Sequence, residues 1–200
     1  MKLILASASP RRAELLRQVG IPFEVIAPKV CEHVAEPLSP EELAGKLARE
    51  KAEAVAKDID RGLVLAADTL VYYRGLILGK PVDAEEAGRM LKLISGDQHE
   101  VITALYLIDT ATGRHESGIA TTKVWMKELT PQQITAYRTT GEPYDKAGAY
   151  GIQGFAALFI NRIEGCYFNV VGLPLSLLYD LLNNMHFNTW LNGEDSNHAK

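Results

Sequence analysis

Cysteine is almost missing from this chain: Cys31 and Cys166 are the only two in 200 residues. Two thiols do not staple a small secreted fold, and the composition points to a cytoplasmic protein. Basic residues are not in excess either. Lys and Arg number 21 against 25 Asp and Glu, a formal net charge of −4. Without a positive balance, neither nucleic acid nor an anionic membrane is an expected partner. A phosphate-bearing ligand must then be held by a few local cations. No apolar run approaches the roughly 20 residues that a membrane-spanning helix requires. The opening MKLILASASPRR passes from a short apolar run straight into Ser-Pro-Arg-Arg, as a strand and polar loop do and a secretion signal does not. Repeats and low-complexity blocks are also lacking. The length, 47% apolar residues and 23% charged residues suit one domain, or two lobes sharing a core.

Patterning predicts a mixed sheet with helices on its faces. LILA reads as a buried strand, followed by a helix from Pro10 to Val19 with Ser9 able to cap it. PFEVIAP reads as a second strand. Ser39-Pro40-Glu41-Glu42 forms a capping box ahead of a helix, and GLVLAAD reads as a buried strand ending at Asp68. TLVYYRGLILGKP suggests a hairpin turning near Arg74-Gly75. Asp83-Ala84-Glu85-Glu86 forms a further capping box, leading a helix that stops at Ser95-Gly96, and two long strands meet at Ala111-Thr112-Gly113. Thr130 caps a further helix. AALFINRIEG reads as a strand, GCYFNVVGLPL as a packed connection, and Pro174 to Met185 as the last helix. Residues 1–188 are expected to form a single domain of two lobes, and 189–200 a polar, frayed tail.

Several polar residues stand where loops meet these elements. In SASPRR, Ser7, Ser9, Arg11 and Arg12 combine a helix N-terminus with two guanidiniums, a setting that suits phosphate. An ordinary cap with exposed arginines is the plainer alternative. Asp68 in AADT is a carboxylate at the end of an apolar strand, placed to bind a divalent cation, to activate water, or to do both. Lys51 and Lys80 taken alone read as solvated surface. Cys31, Glu32 and His33 are consecutive and point in different directions, which excludes a zinc site; Glu32 alone remains able to share a cation with Asp68. His99 reads as a structural histidine. The glycine-rich DKAGAYGIQG matches neither the Walker phosphate loop nor the dinucleotide fingerprint.

LASASPRR, AADT, GKP, SGDQHEVIT, EPYDKAGAYGIQG and YFNVVGLPL occur in this order along nearly the whole chain. Together they resemble the Maf family of nucleoside triphosphate pyrophosphatases, in its dTTP/UTP pyrophosphatase branch. The resemblance implies an α/β fold like that of the inosine triphosphate pyrophosphatases, with a cleft between two lobes and a homodimer. It also implies hydrolysis of dTTP and UTP to the monophosphate and pyrophosphate, with a divalent metal cation (Mg, Mn or Co). Asp68 matches the position of the proton acceptor. Glu32, Lys51 and Lys80 match further active-site positions, and Arg11, Thr69 and Gln153 match positions that select the base. On this footing Glu32 and Asp68 are the expected metal carboxylates, while Ser7, Ser9 and Arg12 join the substrate-binding set. Many family members carry two neighbouring acids where this chain has Cys31-Glu32. An amide such as that of Gln153 both donates and accepts, which suits the edge of a pyrimidine. The competing expectations are a purine-selective triphosphate pyrophosphatase of the same fold, and a non-catalytic nucleotide-binding regulator of septum formation.

Overall fold

Four apolar residues followed by a Ser-rich loop give the first strand, and Pro10, which needs no helical N–H partner, starts the first helix. The computed structural model describes residues 1–30 and 38–189. In chain order its elements are β1 (Leu3–Ala6), α1 (Pro10–Gln18), β2 (Phe23–Val25), α2 (Pro40–Ala56), β3 (Leu63–Tyr73) and β4 (Leu76–Leu78). Then come α3 (Ala84–Ile94), β5 (Gln98–Asp109), β6 (His115–Met126), α4 (Pro131–Arg138), β7 (Ile160–Glu164), α5 (Tyr167–Val171) and α6 (Leu175–Asn184). Short 3-10 turns occupy Glu142–Asp145, Ala147–Ala149 and Phe155–Phe159.

The seven strands form one mixed sheet in the order β2-β1-β3-β5-β6-β7, with β4 paired to β3. Strand β1 runs parallel to both β2 and β3, whereas β3–β4 and β6–β7 are antiparallel. A mixed α/β sheet with helices is therefore the fold class, as the patterning predicts. The β3–β4 turn falls at Arg74 and Gly75, both with positive φ (47° and 88°), the backbone that tight hairpins need. Two full capping boxes form, Ser39 with Glu42 and Thr130 with Gln133.

Five local readings change. Strand β3 does not end at Asp68 but runs on to Tyr73, so that Asp68 lies within an 11-residue strand. Its charge breaks nothing because Lys51 pairs with it. Residues Phe155–Phe159 wind into a 3-10 turn before β7 begins, since the Glu142 carboxylate accepts from the N–H groups of Phe155 and Ala156 at 2.8 and 3.5 Å. A carboxylate at that end favours a helical start. The connection before α6 contains the short helix α5. Ser9 occupies the N-cap of α1 without a side-chain cap bond, and at α3 the Glu86 carboxylate accepts from Val82 N–H at 2.6 Å rather than closing a box with Asp83.

Two compact units divide the chain. One holds residues 1–68, 104–119 and 172 onward; the other holds 69–103 and 120–171. In the first, Leu5, Leu16, Leu63, Leu65, Leu107 and Leu173 are fully buried. In the second, Val71, Leu91, Ile94, Val101, Val124 and Tyr150 belong to one apolar cluster. Each boundary falls inside a strand, at 68/69 in β3, 103/104 in β5 and 119/120 in β6. Among the described residues, no helix is long and apolar enough to cross a membrane. Cys31, Glu32 and His33 lie outside the described residues, as does the tail from Trp190; Thr189 is buried.

Candidate active site

The first unit collects most of the charged candidates at one end of a strand pair. Ala6 of β1 is in register with Ala66 of β3 on parallel strands. Ser7 and the loop to Arg12 therefore leave β1 at the same end at which β3 carries Asp68. The Ser7 hydroxyl, itself buried, accepts from the N–H of Ser9 at 3.1 Å and from Arg12 Nη1 at 3.2 Å. Arg12 Nε donates to the carbonyl of Gly172 at 2.9 Å. Arg12 is thus held at two points, by the loop before α1 and by the segment before α6. The N–H groups of Ser7 and Ser9 are both used inside the loop, the former on the Leu5 carbonyl. Ser7 braces Arg12, while Arg11 and Arg12 stand half-buried in the first turn of α1.

Asp68 is buried, and Lys51 Nζ forms an ion pair with its Oδ1. Lys51 comes from α2, whose apolar side (Leu43, Leu47, Ala48, Ala52, Val55) is buried and carries the lysine stem inward. The lysine side chain is 14% exposed, so the pair is mostly removed from water while an edge stays accessible. A buried carboxylate beside an ammonium is costly to place and is a frequent mark of a reaction centre. One end of this unit therefore offers a carboxylate, an ammonium and the braced guanidinium of Arg12. That set is able to bind polyanions and to take a proton.

The second unit carries Thr69, Lys80 and Gln153. Thr69 follows Asp68 directly in β3, is half-buried, and has its Oγ1 3.0 Å from Thr103 Oγ1 on β5. Lys80 is exposed, just after Gly79, whose carbonyl accepts from the Gly148 N–H at 3.0 Å. Gly148 has φ 68°, and a Cβ there would lie 3.0 Å from Val71, so both conformation and space demand glycine. This bond ties the GKP turn to the glycine-rich stretch that carries Gln153, an exposed residue. The structure thus links Ser7, Ser9 and Arg12 in one hydrogen-bonded set, and Lys51 with Asp68 in another. Thr69, Lys80 and Gln153 belong to the second unit, and Glu32 lies outside the described residues.

Sequence reasoning missed the group that shapes the glycine-rich stretch, Glu142. Its carboxylate accepts from Tyr137 Oη at 2.8 Å as well as from Phe155 N–H, and its carbonyl accepts from Lys146 Nζ at 2.8 Å. A Cβ on Gly151 would come within 2.6 Å of Lys146 Cε, and one on Gly154 would overlap the Glu142 carboxylate. Those two glycines make room for an internal brace. Burial, and then the bond to Glu142, push the Tyr137 phenol up from its ordinary value. His99 and Tyr150 form a second buried pair, with Nε2 and Oη 2.6 Å apart and the rings edge to face. Burial pushes the His99 imidazole down to about 4, so it is neutral near pH 7.

No cluster of three or more metal-ligating side chains occurs among the described residues. A hard divalent cation needs only one or two carboxylates when phosphate oxygens and water complete its shell. The buried, charge-compensated Asp68 fits that donor set.

The family model described as "Maf-like protein" matches residues 2–185. A Carboxydothermus hydrogenoformans protein named "dTTP/UTP pyrophosphatase" is 54% identical over 179 residues, covering 90% of this chain and 96% of the relative. Proteins of the same name from Acetivibrio thermocellus and Methanosarcina barkeri are 51% and 50% identical, over 91% and 90% of this chain and 94% and 92% of theirs. Among solved structures, the Staphylococcus aureus Ham1 protein aligns at a TM-score of 0.40 and 16% identity, over 63% of this chain and 72% of that one.

Proposed function

The chain belongs to the Maf-like family, and from that premise we propose that it hydrolyses dTTP and UTP to the nucleoside monophosphate and pyrophosphate in the cytoplasm. The observation that carries the reading is the register of β1 and β3, which brings the Arg11–Arg12 loop to the same strand end as the Lys51–Asp68 pair. Water attacks the α phosphorus in line, a new P–O bond forms, and the bond to the bridging oxygen breaks as pyrophosphate leaves with its electron pair. Asp68 takes the proton of the attacking water. Lys51 transfers its ammonium from Asp68 to the phosphate oxygens when substrate arrives, which releases the carboxylate to act as base. Arg12, fixed by Ser7 and Gly172, neutralises charge that grows on the leaving group, and Lys80 adds a further cation.

Asp68, together with Glu32, would hold a divalent cation such as Mg, Mn or Co, which when bound offsets phosphate charge. The base is read by Arg11, Thr69 and Gln153. A homodimer is supported by the exposed apolar Phe155 and Leu158 (62% and 71% exposed), which a second copy would cover.

Pyrophosphate release is the test, measured over dTTP, UTP, CTP, GTP and ATP, with added divalent metal and with chelator. Turnover of dTTP and UTP that chelator abolishes is the expected outcome. Asp68→Asn removes turnover with unfolding temperature held within a few degrees. A fully active Asp68→Asn refutes the mechanism, preference for GTP or ATP favours the purine-selective alternative, and binding without turnover favours the regulator.

A further inference from the structure

Gln153 stands third in a tight turn, Gly151-Ile152-Gln153-Gly154, closed by the Gly154 N–H on the Gly151 carbonyl at 3.2 Å. Its side chain is exposed and makes no hydrogen bond among the described residues. The turn beneath it therefore decides where its amide goes. Both ends of that turn are glycine, which has no side chain to anchor and the most permissive backbone. The anchorage has to come from elsewhere in the second unit, and it comes from Glu142.

On the leaving leg the Glu142 carboxylate acts directly. Its Oε2 accepts from Phe155 N–H at 2.8 Å, and the carboxylate fills the space where a Gly154 side chain would begin. On the entering leg it acts through two neighbours. Tyr137 Oη donates to Glu142 Oε1 at 2.8 Å. Burial, and then this bond, push the phenol up, while the Gly151 N–H acts on the same phenol in the opposite sense. Lys146 Nζ donates to the Glu142 carbonyl at 2.8 Å, and its stem fills the space where a Gly151 side chain would begin. Glu142 is itself fixed, since its N–H donates to Thr140 Oγ1 at 3.2 Å. Tyr137 is buried in α4 and packs edge to face on Phe159, so the brace stands on the apolar cluster of this unit.

We propose that Glu142 is a specificity-positioning residue for the pyrimidine base: it places the Gln153 amide by holding both legs of the Gly151–Gly154 turn, without touching substrate itself. The inference rests on the reading that Gln153 meets the base of a nucleoside triphosphate. An amide and a base edge bond only within a few tenths of an ångström of the right separation. A turn released from Glu142 loses that fit, whereas cations that hold the polyphosphate do not depend on it. The loss falls on binding that substrate and transition state share, so it is read in KM and not in kcat.

Pyrophosphate release gives KM and kcat for UTP, and inhibition by inorganic tripolyphosphate reports the phosphate subsites alone. Wild type, Glu142→Ala, Gln153→Ala and the double variant form one cycle. Glu142→Ala raises KM for UTP about fivefold or more, with kcat and tripolyphosphate inhibition each within about twofold of wild type. In the Gln153→Ala background the same substitution changes KM by less than about twofold, because the amide it positions is gone. A merely structural Glu142 predicts the same rise in both backgrounds, or a parallel weakening of tripolyphosphate; either result overturns the proposal. Should Glu142→Ala not fold, Tyr137→Phe releases the entering leg alone and carries the same cycle, with a smaller rise in KM. A Gln153→Ala that leaves KM for UTP unchanged also overturns the inference while the pyrophosphatase reading stands. A wild type that turns over no pyrimidine triphosphate refutes that reading itself.

Discussion

Mild acid should destabilise this protein through one imidazole. His99 is 1% exposed, its Nε2 bonded to Tyr150 Oη, and its buried Nδ1 has no hydrogen-bond partner among the described residues. Burial lowers it from 6.5 to about 4, with the nearby Asp97 charge opposing in part. Between those values the unfolded chain binds a proton that the folded one refuses, so stability is present above about pH 6.5 and is lost as pH falls towards 4. The full interval corresponds to about 3 kcal/mol, and the drop between pH 7 and pH 5 to about 2 kcal/mol. Carboxylates do not mimic this. Asp97 and Glu42 are held below their ordinary values, mainly by bonds to Gln98 and Ser39 backbone groups, and lose their contribution only at lower pH. Urea unfolding at pH 7.0, 6.0 and 5.0 measures the effect, with His99→Gln as the reference that cannot titrate. The wild type should lose about 2 kcal/mol across the range and the variant much less. Equal slopes for the two proteins, or an imidazole titrating near 6.5 by NMR, would refute the reasoning.

Two further outcomes concern the glycine-rich stretch. Gly154→Ala drives a methyl group into the Glu142 carboxylate and should cost about 1–3 kcal/mol by urea unfolding. In Glu142→Ala the same substitution should cost less than 1 kcal/mol, and additive effects would show that the two groups do not collide. Gln153→Ala should raise the KM for UTP about tenfold while leaving inhibition by inorganic tripolyphosphate unchanged. Parallel weakening of both would remove Gln153 from reading the base.

Much of the architecture was legible because its signals are local. Ser39 and Thr130 announce their helices within four residues, and Arg74-Gly75 announces a hairpin turn. What escaped depends on partners far along the chain. A lone aspartate in LVLAADTLVYY reads as a strand end until Lys51, 17 residues earlier on a helix, is seen to compensate it. Phe155–Phe159 is apolar enough for a strand, and only the carboxylate of Glu142, 13 residues away, coils its start. The site shows the same division. SASPRR, Asp68 and Thr69 stand out as polar groups among apolar ones. Glu142 does not, since a glutamate ahead of a proline looks ordinary until its bonds to Tyr137 and Phe155 are traced.

Glu142 has a consequence for how a ligand would bind. Its carboxylate, Tyr137 and Lys146 hold the turn that carries Gln153 in shape through bonds made within the protein alone. Ordering that segment is therefore a cost of folding, not of association. A ligand meeting Gln153 would find it on a finished wall, and its arrival rate would be set by encounter with the charged groups, not by waiting for a loop to close.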